Sequence, residues 1–232
     1  MDNFKTFLDQ HCSLTAAGQP VSKPLPTLAG KAKTADIYLM GVIGGYEANL
    51  PRFRGDLEAA GKVDKLTVYL NTIGGNFADG LPIYNLLAQH PAHVTVKVMG
   101  YALSIGSVIM LAADRIECAE NGLVMIHRAQ GFTYGDAGDH QKTAEILTKH
   151  EAAVIPRYAA KMGKTHSEVQ ALLNAETWYT AAEALQAGLV DAISGKAEAD
   201  AAEQAGMQAD GQAIMQHYRH VPRQLAQGAG YS

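Results

Sequence analysis

Cysteine is nearly absent: the 232 residues include only Cys12 and Cys118. Two thiols so far apart make neither a disulfide framework nor a metal-ligand spacing, and they suit a reduced, cytosolic setting. A basic excess is also lacking. Nineteen Lys and Arg against 23 Asp and Glu leave a net charge of −4, and the cations are scattered, so the field that nucleic acid or an anionic membrane surface requires is missing. No apolar run approaches the ~18–20 residues of a membrane span. The opening Met1-Asp-Asn-Phe-Lys5 lacks the basic-then-apolar order of a secretory leader. A soluble, cytoplasmic protein is expected. Apolar residues, in contrast, make up 47% of the chain, and a compact body of this length buries roughly 70–75% of its unfolded surface. No metal or cofactor is needed to complete such a core.

Residues 1–35 carry Pro20, Pro24 and Pro26 among Ser, Gly and Lys, and read as an N-terminal arm. Strand-turn-helix units follow. Asp36–Ile43 is a strand, Gly44-Gly45 a turn, and Ala48–Ala60 a helix; Lys65–Asn71 is a strand, Gly74-Gly75 a turn, and Phe77–Gln89 a helix. Val94–Met99 is a third strand, leading through Gly100-Tyr-Ala-Leu-Ser104 into an apolar helix that runs to Ala113. Asp114–Cys118 and Leu123–His127 read as two short strands around the Glu120-Asn-Gly122 turn. A glycine-rich segment then gives way to a long helix from Ala137 to Lys161, broken or kinked near Pro156. Thr165-His-Ser-Glu168 and Thr180-Ala-Ala-Glu183 have the form of capping boxes, and Leu189–Ile193 is a last strand. Beyond 195 the composition turns to Ala and Gln, a C-terminal tail over 196–232. Successive units of this kind imply an α/β body with a mostly parallel sheet.

Ser104 stands at a glycine-flanked strand-to-helix junction, where its hydroxyl is held at the mouth of the sheet and the first free helix amides point at whatever it attacks. Acyl transfer needs a nucleophile, a base, an acid that orients the base, and amide donors for an oxyanion. His127 ends an apolar strand just before the glycine-rich run and is the base candidate. On spacing alone Ser104 also reads as a cap, His127 as a polar strand end, and Gly74-Gly75 as a plain turn. Glu176 has no spacing signal of its own.

The runs Asn71-Thr-Ile-Gly-Gly75, Gly100-Tyr-Ala-Leu-Ser-Ile-Gly106, Val124-Met-Ile-His127 and Glu183-Ala-Leu-Gln-Ala-Gly-Leu-Val-Asp191 resemble, in order and spacing, the signature segments of the Clp proteolytic subunit family. The likeness covers Asp36 to Ile193, within an expected protease domain over 36–195, and is nearest to the shorter Clp-like proteases of phages and prophages, in which related proteins mature the capsid. It implies a crotonase-like superhelix of ββα units with a handle helix, and a serine endopeptidase. By position Ser104 is the nucleophile, His127 the general base and Glu176 the third member, with the amides of Gly75 and Ile105 as the oxyanion site. Gly74, Gly131 and Phe132 fall where the family pairs an extended peptide with a strand. The resemblance also implies a homo-oligomeric, heptameric ring, single or stacked, acting on a peptide or protein substrate without metal or cofactor. The chain departs from the family at Arg128-Ala129, at Asn174-Ala175 and before Asp36. The last two departures bear on ring stacking and on partnership with an AAA+ unfoldase.

Two other classes fit parts of this pattern. A crotonase-like acyl-CoA enzyme would keep Gly75 and an amide near Ser104 but needs carboxylates in the site and no serine–histidine pair. A non-catalytic ring or scaffold protein would use Ser104 only as a cap.

Overall fold

The computed structural model describes residues 33–195 and the segment Tyr218–Val221. Apart from 33–35 and that segment, the expected arm and tail lie outside the described residues. Alternation dictates the central strand β2 (Lys65–Thr72): Leu66, Val68 and Leu70 turn to one face and are fully buried. Strands β1 (Thr34–Met40) and β3 (His93–Leu103) flank it in parallel, with Ile37 and Val96 both in register with Val68. Parallel neighbours require crossovers. Helices α1 (Leu50–Ala60), α2 (Phe77–Ala88) and α3 (Ile105–Met110) lie between successive strands and contribute Phe53, Ile83, Leu87, Ile109 and Met110 to the main core. Beyond β3 come β4 (Arg115–Ala119) and β7 (Ala192–Ser194), so the parallel order is β1-β2-β3-β4-β7.

Strand β3 serves two sets of neighbours, and this positions the site. Its first half, Thr95–Val98, pairs with β4, while Tyr101–Leu103 pairs with β5 (Leu123–Ile126). Strand β6 (Thr177–Thr180) then closes antiparallel onto β5. The handover falls where the β2–β3 register slips: Leu70 faces Val98, but Thr72 faces Ala102. The Asn71 side chain bridges the irregularity by accepting the Tyr101 amide at 3.0 Å.

Several sequence expectations are refined. Strand β3 continues to Leu103, so the turn expected over 100–104 contracts to Ser104 alone. The Ala119–Gly122 turn forms, with the Gly122 amide donating to the Ala119 carbonyl at 2.8 Å. It does not make a hairpin, however, because β4 and β5 each run parallel to a different stretch of the same long neighbour. Helix α4 (Ala137–Met162) is unbroken through Pro156, as buried Val154, Ile155, Tyr158 and Ala159 anchor that stretch on the core and offset the missing amide. Both expected capping boxes form, at α5 (His166–Asn174) and α6 (Ala181–Gln186), and Asp136 makes a third before α4. The final strand begins three residues late. Leu189 and Val190 are core residues, and Asp191 spends a carboxylate oxygen on the Ile116 amide at 2.7 Å.

The outcome is an α/β superhelix of strand and helix units. The first half of α4 projects from it, with Ala144, Glu145 and Ile146 exposed. Among the described residues no helix is long and apolar enough to cross a membrane.

Candidate active site

The nucleophile candidate owes its position to the end of β3. The Ser104 amide donates to the Met125 carbonyl at 2.9 Å, holding the residue against β5 as the chain turns into α3. Its backbone takes φ 54 and ψ −124, the conformation of the first central residue of a type II′ turn, which is ordinarily left to glycine. The Ser104 carbonyl is gripped from beneath. Ser107 donates both its amide, at 3.0 Å, and its hydroxyl, at 2.6 Å, and that hydroxyl lies 2.6 Å from the hydroxyl of fully buried Tyr158 on α4. Close approach of α3 to the sheet depends on Gly106, where an added Cβ would lie 2.3 Å from Thr72 Cγ2.

His127 follows β5 directly. Because β5 pairs with the last residues of β3, the imidazole comes alongside the hydroxyl, and Nε2 lies 2.7 Å from Ser104 Oγ. Burial pushes the ring's pKa below its ordinary value, opposed by the negative charges of Glu176 and then Glu151. A neutral ring that accepts the serine proton at Nε2 carries its own proton on Nδ1. Among the described residues that buried Nδ1 has no hydrogen-bond partner.

Glu176 is buried and has a left-handed backbone, φ 50. Its carboxylate is not hydrogen-bonded to His127. It accepts the Arg219 and His220 amides, each at 2.8 Å, and lies 3.4 Å from Trp178 Nε1. Glu151 is buried as well. It pairs with Arg128, the residue after the histidine, at 2.9 Å.

A cavity of about 860 Å³ opens over the pair, and Gly75, Ile105, Gly131 and Phe132 are in its wall with Ser104 and His127. Gly74 is buried behind it, where an added Cβ would lie 2.7 Å from Ser104 Cβ. Gly75 adopts φ 142 against Ile43, which places its backbone at the cavity edge without a side chain. Phe132 is 92% exposed on the opposite rim.

Tyr218 is the site residue that sequence reasoning missed. It lies in the Ala/Gln-rich tail, in no periodic pattern, and carries no local signal. Its hydroxyl donates to the Ile73 carbonyl, and its ring meets His127 edge-on at 5.1 Å and Trp178 at 6.1 Å. Burial drives the phenol far above its usual pKa, opposed by hydrogen bonding to Ser104, so it remains a protonated donor. The Ser107–Tyr158 support was equally invisible in the sequence. Among the described residues no cluster of His, Cys, Asp and Glu could hold a metal ion.

The family profile described as Clp protease matches residues 56–197. A curated relative, the ATP-dependent Clp protease proteolytic subunit 1 of Salinibacter ruber, is 27% identical over 147 residues. That match covers 62% of this chain and 63% of the relative, so it spans somewhat less than two thirds of the relative's length.

Proposed function

Because this chain belongs to the Clp protease family, we propose that it is a serine endopeptidase with Ser104 as nucleophile and His127 as general base. The observation that carries the reading is the 2.7 Å approach of Nε2 to Oγ at the wall of an open cavity. In the reaction His127 takes the hydroxyl proton as Oγ attacks a substrate carbonyl carbon, then returns it to the leaving amine. Water repeats the sequence to release the acyl group. A base whose pKa is lowered by burial is neutral at working pH and ready to accept that proton. The amides of Gly75 and Ile105 are the oxyanion donors, at the glycine edge and at the start of α3. Glu176 is the third member, orienting His127 through Nδ1 once its carboxylate turns toward the ring. The extended run at Gly131 and Phe132 receives the peptide backbone.

The assembly reading is a homo-oligomeric ring enclosing these sites. The first half of α4, with Ala144, Glu145 and Ile146 exposed, supports it as the handle between subunits. Capsid maturation is the substrate role favoured by the likeness to phage-borne proteases.

The test is labelling by a fluorophosphonate. Wild type should be modified at Ser104 and hydrolyse casein or short peptides, and Ser104→Ala should do neither. Modification elsewhere, or hydrolysis that survives Ser104→Ala, overturns the assignment. A crotonase-like acyl-CoA enzyme would not be labelled, and the serine–histidine hydrogen bond favours the hydrolase over it.

A further inference from the structure

The contacts of Tyr218–Val221 are those of a ligand. Tyr218 fills a pocket made by Ile73, Leu103 and Met125, closed by the edges of His127 and Trp178. Its hydroxyl finds the Ile73 carbonyl, next to the Gly74-Gly75 turn. The two following main-chain amides then take one oxygen each of the Glu176 carboxylate. An aromatic side chain in a polar-tipped pocket and two successive amides on a buried carboxylate together make a peptide-binding site. The chain occupies it with its own segment.

Occupancy has a consequence for the catalytic groups. A buried N–H without an acceptor is unfavourable, and the carboxylate that could relieve His127 Nδ1 is committed to Arg219 and His220. Without an orienting acid, a histidine base loses most of its effectiveness. The Tyr218 ring also forms part of the wall of the cavity over Ser104.

We propose that Tyr218–Val221 is an intramolecular ligand of the active site that holds Glu176 away from His127, so that the docked chain is the slow form and undocking completes the triad. The ligand class is a peptide with a tyrosine followed by two residues that retain their amide hydrogens. A partner or substrate that supplies such a segment would compete for the same place. This inference rests on the nucleophile assignment above and adds regulation of that site.

The full-length chain tests it through Tyr218→Ala and Arg219→Pro, which remove the aromatic anchor and one amide donor. Both should be labelled by a fluorophosphonate at least about tenfold faster than wild type, the effect of shifting a docking equilibrium by that factor. A peptide spanning 214–224, added to Tyr218→Ala, should restore the slow rate, and the same peptide with alanine for tyrosine should not. Trp178, the sole tryptophan, gives a readout independent of activity: its emission should change in Tyr218→Ala and return with the peptide. Unchanged or slower labelling in both variants overturns the inference; the slower outcome would make the segment a support for Glu176. If no form is labelled, the catalytic assignment fails separately. The binding site is then judged on Trp178 alone, and a peptide without effect on its emission removes it.

Discussion

Ser104 and Glu176 share a positive φ that no other residue except glycine adopts in the described chain: it is 54 at the serine and 50 at the glutamate. Positive φ crowds a Cβ against the backbone and persists only where the surroundings over-determine it. At Ser104 those surroundings are the Met125 carbonyl above and the Ser107–Tyr158 pair below. The two residues assigned as nucleophile and orienting acid are thus the two that the fold holds against local preference.

Strain at the nucleophile is separable from its chemistry. Ser104→Ala and Ser104→Gly both remove the hydroxyl, so both should be inert. Only glycine relaxes φ 54, and after its greater loss of chain freedom on folding it should remain about 1 kcal/mol more stable than alanine. Urea midpoints of the two variants check this, and an alanine variant as stable as the glycine one would remove the strain argument.

The acid limb of the labelling rate follows from His127. Burial lowers its pKa and Glu176 is the largest opposing influence. Glu176→Gln deletes that opposition, so the midpoint should move to lower pH while the plateau rate falls at least about a hundredfold. A pH profile of labelling measures both, and a midpoint that rises would contradict the stated electrostatics.

The same ring makes stability depend on pH. Its folded pKa is depressed below the ordinary 6.5, so the folded state resists a proton that the unfolded state accepts. Stability should be complete above pH 6.5 and decline as the pH falls through the depressed value. His127→Phe should flatten that part of the profile in denaturant titrations.

Two glycines with positive φ should respond very differently to alanine. At Gly75 the new Cβ would lie 2.2 Å from the Ile43 carbonyl oxygen, whereas at Gly61, φ 63, it would meet nothing within 4 Å. Gly61→Ala should cost about 1 kcal/mol from conformation alone, and Gly75→Ala roughly 3 kcal/mol or more because backbone must move. Equal losses in chemical unfolding would place the clash in doubt.

Support beneath Ser104 is a coupled unit. Tyr158→Phe should cost about 1 kcal/mol and slow labelling a few-fold, and Ser107→Ala should cost somewhat more by orphaning the buried phenol. The double variant should lose less than the two single losses combined. Strict additivity would argue against the pair acting together.

Much of the fold was legible because it is encoded over short distances. Period-two burial in Lys65–Thr72, the apolar helix after Ser104 and the Thr165 and Thr180 capping boxes each need only neighbouring residues. The pairing of β4 and β5 was not legible, since a turn at Gly122 is compatible with strands that face each other or a shared third strand. Ser104 and His127 were candidates from their positions at element ends, and the family resemblance favoured them over the readings as a cap and a strand end. The Glu151–Arg128 and the buried Ser107–Tyr158 pairs were not legible, because each joins segments that meet only on folding.

Sequence alone determined which units form and which hydroxyl and imidazole stand at their ends, because hydrogen-bond periodicity and capping act within a few residues. Tertiary structure alone decided what the Glu176 carboxylate binds. Each of its oxygens accepts an amide, 43 and 44 positions away, and no local propensity specifies a contact whose energy exists only after both surfaces have been built.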